Sequence, residues 1–587
     1  MSDFKTVLQK DPTIADVTTD LVYAVKSGGS ATTYQSFPST SATNSVIVFN
    51  IQVPSENIIV GRDALLQSPL QFTLTVSDVP VGQTAVVWGE TASLQAFPLA
   101  SCMTTATATI NNTTTSVNLQ DVLPQILRLN SNRELYRYNG TTPSLPDQNW
   151  GKYSDSFASN SSPLASYFNQ SYDNDQAPRG AFPAYAQVDR FVAGVWQDRS
   201  PISTGVANET WRVTVFTTVA EPLFLSPFIY ADPCHNKQGM LGINNMSFTL
   251  NINATLNRLV SAFVPAGASI TIAPGVLADP NGAKWLANGN LFQNTYAVPQ
   301  LSAPASGGPT MLLKLISSQP SDRLETRNVV PYFDLPRYLT SSANNPVLAA
   351  ATARTITSQS IQLSQLPDYF IIVARKSVQS QTIQDTSSFL TIRNISINLN
   401  NQSGLLSSAT PQDLWRMSVK NGSMQTWEEF SGSAFVNNLT LGNNGLVPTT
   451  GSMFIVSPAD LSLPDYLSSG SLGAFQLQFN AQVYNQFAQD IQVEICVIAA
   501  NSGIFVLQQG TCSVYTGILT REAVLAAKSQ QSTQMADRMI GGMLSRGLAR
   551  HPNDPMVMGM RHGGAMSAGA SSGGANLGVK SRLHGMY

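Results

Sequence analysis

The stretch Ser247-Phe248-Thr249-Leu250-Asn251-Ile252 decides how this chain is read, because its apolar residues fall at every second position. Side chains alternate across a strand, so Phe248, Leu250 and Ile252 share one face and Ser247, Thr249 and Asn251 the other. The segment is therefore expected as a strand buried on one side. Upstream, Val213, Val215, Phe224, Leu225 and Phe228 lead to the turn formers Asn244 and Asn245. The same grammar returns at 361–406, where Leu366, Pro367 and Asp368 open the run Tyr369 to Ala374, and Ile392, Ile395, Ile397 and Leu399 follow. Used twice, the pattern predicts two β-sandwiches in one chain.

Working outward, Ile47, Phe49 and Ile51 alternate with Val46, Val48, Asn50 and Gln52 as another strand. Further strands are expected at Leu70 to Val76, Thr84 to Trp88 and Met103 to Ile110. Asn111 to Thr115 reads as a turn and Val117 to Leu129 as a short helix, with Asp121 near its start, where a carboxylate suits exposed amides. Residues 130–185 are polar and rich in Tyr, Asn, Ser and Pro, and are expected as a long surface loop or a subunit contact. Phe475 to Val483 and Ile491 to Val497 close the second sandwich. The expected organisation is an N-terminal arm at 1–25, a first sandwich at 26–300 and a second at 301–515. Residues 516–587 are expected as a helix and a flexible, basic tail rich in Gly and Met.

A length of 587 residues exceeds what one core supports. Only 12% of residues are charged, against about 25% in ordinary domains, while 40 glycines and 33 prolines supply turns. An apolar fraction of 43% argues against a disordered chain. Ser2, Asp3, Lys5, Lys10 and Asp11 interrupt any apolar run after Met1, so neither a signal peptide nor a membrane span is expected. Cys102, Cys234, Cys496 and Cys512 lack CxxC spacing and are expected as free thiols of a protein made inside a cell, with a bridge or metal ligand as the alternative.

Catalytic chemistry finds little to build on. His551, His562 and His584 lie in the tail, and His235 beside Cys234 has no two further ligands in sight. Glu428 and Glu429 follow Trp427, but adjacent residues on a strand point to opposite faces and make a poor acid–base pair. No catalytic site, cofactor or metal is expected, although carboxylates that converge only in space leave no sequence spacing. Trp150, Trp415 and Trp427 are candidate anchors of a subunit interface, with a core role open to Trp415 beside Leu414 and Met417. From residue 521 onward, eight basic residues face three acidic ones, a balance of +5.

Several short motifs occur in a particular order: Tyr34-Gln35-Ser36-Phe37-Pro38-Ser39-Thr40, Asn160-Ser161-Ser162-Pro163-Leu164, Pro178-Arg179-Gly180 and Phe224-Leu225-Ser226-Pro227-Phe228. Gln365-Leu366-Pro367-Asp368, Ile395-Ser396-Ile397-Asn398 with Gly404-Leu405-Leu406, and Asp460 to Pro464 with Gly470 and Phe475 to Asn480 continue the series. Together they resemble the double jelly-roll major capsid proteins of icosahedral double-stranded DNA viruses, most closely the virophage and polinton-like group. The resemblance implies an all-β fold of two tandem jelly rolls with short helices and a C-terminal tail. It also implies homotrimeric, pseudo-hexameric capsomers that tile a viral shell. Neighbouring capsomers, penton proteins and minor capsid proteins would be partners, and the virion capsid the location, with synthesis inside the host cell. Arg538, Arg546, Arg550, Arg561, Lys580 and Arg582 are then expected to face inward, near packaged DNA or an inner layer. The alternative is a β-sandwich adhesin or carbohydrate-binding protein, for which a signal peptide would be expected; a β-rich hydrolase would need converging carboxylates.

Overall fold

The computed structural model describes residues 31–81, 92–138, 142, 144, 184–192, 195–198, 209–228, 239–262, 267–275, 289–292, 307–317, 327–340, 347–400, 402–438, 443–461, 463, 469–487, 489–508 and 510–517. The expected strand Thr84 to Trp88 lies outside them, as does most of the 130–185 loop.

Two facing sheets form the first sandwich. One runs in the order Ala31–Pro38, Thr310–Ser317, Leu65–Val79, Glu209–Pro222, Ala184–Val192, Val195–Asp198, with Ser269–Pro274 and Ile58–Val60 beside it. The other runs Ser41–Ala42, Val46–Gln52, Asn245–Ile252, Met103–Ile110, Thr113–Val117. Phe248 pairs with Phe49 and Ala108, all fully buried, so one face of three neighbouring strands enters the core together. The alternation in Asn245–Ile252 is thereby realised. The expected turn at Asn111 to Thr115 is shorter, since Thr113 already pairs with Ile110 in a hairpin.

The division expected at residue 300 does not follow the hydrogen bonding. Thr310–Ser317 pairs with Ala31–Pro38 along its whole length and with Leu65–Val79 and Ile58–Val60 on its other side. Its apolar run marks a strand but carries no information about which distant strand it joins.

The second sandwich has one sheet in the order Arg327–Asp334, Val493–Gln508, Tyr369–Lys376, Met453–Val456, with Arg337–Thr340 and Thr511–Thr516 also on Val493–Gln508. Facing it is Ala353–Thr357, Leu472–Tyr484, Thr391–Leu399, Gln402–Leu405, with Ile361–Gln365 also on Leu472–Tyr484. Between them pack Phe370, Ile372, Ile395, Phe479, Val483 and Val497.

Candidate functional site

Tyr369–Lys376 lacks the alternation of a half-exposed strand because both of its faces are covered. Phe370, Ile372 and Ala374 enter the core of the second sandwich, whereas Tyr369, Ile371 and Val373 join the core that extends from the first. Its neighbours divide the same way: Phe454 and Val456 against Met453 and Ile455, and Val497 and Ala499 against Cys496, Ile498 and Ala500. A whole sheet face of the second sandwich is thus spent on the first, and the continuous apolar runs are its sequence signature.

Ionic and polar groups fix the orientation of this junction. Asp121, on the helix Leu119–Leu127 of the first sandwich, pairs with Arg375, and its second oxygen lies 2.6 Å from Arg337 Nε. The Arg375 Nε donates to Glu494 at 3.1 Å. Arg258 of the first sandwich donates to the Gln120 carbonyl and, at 2.9 Å, to Gln381 Oε1 of the second. Burial, then the neighbouring Arg375, pushes Arg258 down to about 10, so it remains charged at neutral pH. Arg128 donates to the Pro124 carbonyl at 2.7 Å and across the junction to the Ser387 carbonyl at 3.0 Å, with its guanidinium 4.9 Å from the centre of the Phe389 ring. Gln95 and Thr386 form a further crossing bond at 2.9 Å. Burial pushes the Cys496 thiol up to about 12, leaving it protonated. Cys102, Cys496 and Cys512 are free and buried; Cys234 and His235 lie outside the described residues.

A second buried acid lies inside the first sandwich. Glu221 accepts hydrogen bonds from the Leu99 and Ala100 amides at 2.9 and 2.7 Å, and burial pushes its pKa up to about 8 despite both bonds.

The sequence candidates fall elsewhere. Trp415 and Trp427 meet edge to face with ring centres 5.9 Å apart, half-buried against the second core, and the Trp415 indole donates to the Gln425 carbonyl at 3.1 Å. Trp150 and the basic residues Arg538, Arg546, Arg550, Arg561, Lys580 and Arg582 lie outside the described residues. Glu428 and Glu429 stand on the helix Trp427–Ser431 rather than on a strand, and Glu429 closes a capping box with Thr426. The Thr426-x-x-Glu429 spacing carried that signal. Asp121 is engaged by cations from the other sandwich, which no local spacing could show. Among the described residues, no group of three or more His, Cys, Asp or Glu side chains is placed to hold a metal ion.

Comparison with known proteins places this geometry. Residues 2–296, half of the chain, match the family described as Sputnik virophage major capsid protein 1st domain, and residues 335–503 match Major capsid protein V20 C-terminal domain. The V20 protein of Sputnik virophage is 25% identical over 526 residues, covering 87% of this chain and 80% of its own. The cryo-EM structure of the Sputnik virophage superimposes with a TM-score of 0.67 at 23% identity, over 91% of this chain and 98% of that one. The crystal structure of the mavirus major capsid protein gives 0.59 at 13%, over 91% and 100%. The all-β fold of tandem jelly rolls is that of these structures.

Proposed function

This chain belongs to the family of the Sputnik virophage major capsid protein, and from that premise we propose that it assembles as a homotrimer with a pseudo-hexagonal outline. It is a structural protein of an icosahedral double-stranded DNA virus capsid and not an enzyme. The observation that carries the trimer is the junction. Two sandwiches of like construction are held as one block by shared apolar packing and by the Asp121–Arg375–Glu494 network. Three such blocks around one axis present six similar units to their neighbours, the shape that tiles a shell beside other capsomers, penton proteins and minor capsid proteins. The division between the units lies between Ser317 and Arg327, after the last strand of the first sandwich.

Trp150, Trp415 and Trp427 remain candidates for the trimer contacts, and the Trp415–Trp427 pair supports a rigid aromatic platform there. The basic tail completes the reading, since Arg538, Arg546, Arg550, Arg561, Lys580 and Arg582 suit a non-specific, salt-sensitive contact with packaged DNA or an inner layer. Mass photometry of the purified protein tests the assembly: a species of three 63.0 kDa chains is expected, and a monomer at every concentration overturns the trimer. For the tail, protease treatment of intact and opened particles is decisive. Cleavage only after opening agrees with an inward tail, and rapid loss from intact particles refutes it.

A further inference from the structure

The last strand of a sheet leaves every second backbone N–H and C=O facing away from its only neighbour. Three such edges are capped by side chains. At Met453–Val456 the Met453 amide donates to Gln425 Oε1 at 3.0 Å and the Ile455 amide to Ser418 Oγ at 3.1 Å. At Arg327–Asp334 the Phe333 amide donates to Ser226 Oγ at 2.9 Å. At Thr511–Thr516 the Cys512 amide donates to Asn112 Oδ1 at 2.8 Å, and the Cys512 carbonyl accepts from Thr113 Oγ1 at 2.6 Å.

Ala31–Pro38 differs from all three. It ends its sheet, and among the described residues its only strand partner is Thr310–Ser317. Seven of its eight residues are exposed, Tyr34 by 69%, and none is charged. Phe37 is half-buried against the first core, which marks the face shared by Ala31, Thr33, Gln35 and Phe37 as the inner one. An uncharged edge of this length is a template for any free strand.

The chain carries a strand suited to it. Directly before the edge, Lys26-Ser27-Gly28-Gly29-Ser30 is a turn sequence of five residues. Ahead of the turn, Leu21-Val22-Tyr23-Ala24-Val25 is an uncharged run rich in strand formers, set between Asp20 and Lys26. Two such runs about a short loop with glycine are the pattern of a β-hairpin.

We infer that residues 21–25 fold back as an antiparallel strand on the open edge of Ala31–Pro38 in the same chain. A turn over residues 26–30 opposes Val25 to Ala31, Tyr23 to Thr33, Val22 to Tyr34 and Leu21 to Gln35. Leu21, Tyr23 and Val25 then share the inner face with Phe37, and a slip of one residue would turn all three outward. The short tether favours this occupant over a second copy, because it holds the segment at a roughly millimolar effective concentration. So covered, the edge offers no free row of amides to another chain. The inference stands whether or not the trimer forms.

A disulfide across the hairpin tests it. Directly opposed Cβ atoms lie about 4.5–5.5 Å apart, so a Val22→Cys, Tyr34→Cys chain should oxidise to a link between these positions after a small adjustment. Trypsin cuts after Lys26, between the two cysteines, and mass spectrometry of the joined peptides identifies the bond. On a non-reducing gel the joined peptides are expected in the band of one chain. Finding them in the band of two chains assigns the edge to a neighbour's segment and overturns the inference, as does finding no link in either band. Hydrogen exchange of the unsubstituted protein gives a readout free of new cysteines. Against a chain lacking residues 1–25, alternate amides of Ala31–Pro38 should exchange about tenfold more slowly or better in the full chain. Equal exchange in the two chains sinks the proposal.

Discussion

Asp121 and Arg375 form an ion pair inside the protein although 254 residues separate them in the chain. One belongs to the helix Leu119–Leu127 and the other to the strand Tyr369–Lys376, so the pair ties the first sandwich to the second. With Arg337 and Glu494 attached, it leaves little freedom for the two units to slide.

Asp121→Asn is expected to destabilise the protein by about 3 kcal/mol, because the buried Arg375 loses one of its two carboxylates and keeps only Glu494. Denaturant unfolding of the isolated protein measures it. A loss below about 1 kcal/mol would mean that solvent reaches the site.

Glu221 makes a pH prediction. Its folded pKa, about 8, stands above the ordinary value of 4.5, so folding favours the neutral acid. Its stabilising contribution is complete below 4.5 and is lost as pH rises toward 8, at up to about 1.4 kcal/mol per pH unit. Relative to Glu221→Gln, the parent should lose stability across that interval. Parallel curves for the two proteins from pH 5 to 8 contradict the assignment.

Gly451 has φ +93°, and a Cβ there would run into the Phe389 carbonyl. Gly267 has a similar φ, +90°, but open space around it. Gly267→Ala should cost about 1 kcal/mol for backbone strain alone, and Gly451→Ala at least twice as much. Thermal melting of the two variants side by side checks the ratio.

Thr426 accepts from the Glu429 amide while the Glu429 carboxylate accepts from the Thr426 amide at 2.8 Å. Thr426→Ala and Glu429→Ala should each destabilise by about 1 kcal/mol, and together by less than the sum, since each removes half of one reciprocal cap. A strictly additive double variant would show that the two bonds act independently.

How much of this was legible depends on the range of the interaction. Phe248, Leu250 and Ile252 announced their burial because a sheet face is a period-two property of a few adjacent residues. The run from Tyr369 to Ala374 announced a buried strand, but not that its two faces serve different cores. Thr310–Ser317 was legible as apolar and not as the partner of Ala31–Pro38, because strand pairing over such a distance is settled by the whole fold. Asp121 is similar: a helix-start carboxylate has a sufficient local explanation, and the cations that claim it come from the other sandwich. The outward rows of Thr, Ser and Asn were visible as polar positions; only the register showed which of them stand side by side.

The pairing of Ala31–Pro38 with Thr310–Ser317 also sets a clock on synthesis. Thr33 and Leu315, which share a hydrogen bond in the finished protein, leave the ribosome 282 residues apart. At ordinary elongation rates the first strand waits roughly 15 to 60 s for its partner. Throughout that wait the strand Thr310–Ser317 joins on its other side, Leu65–Val79, also lacks it. Chains crowded on one messenger therefore carry these strand edges, with no charged side chain from Ala31 to Pro38, side by side before either is covered.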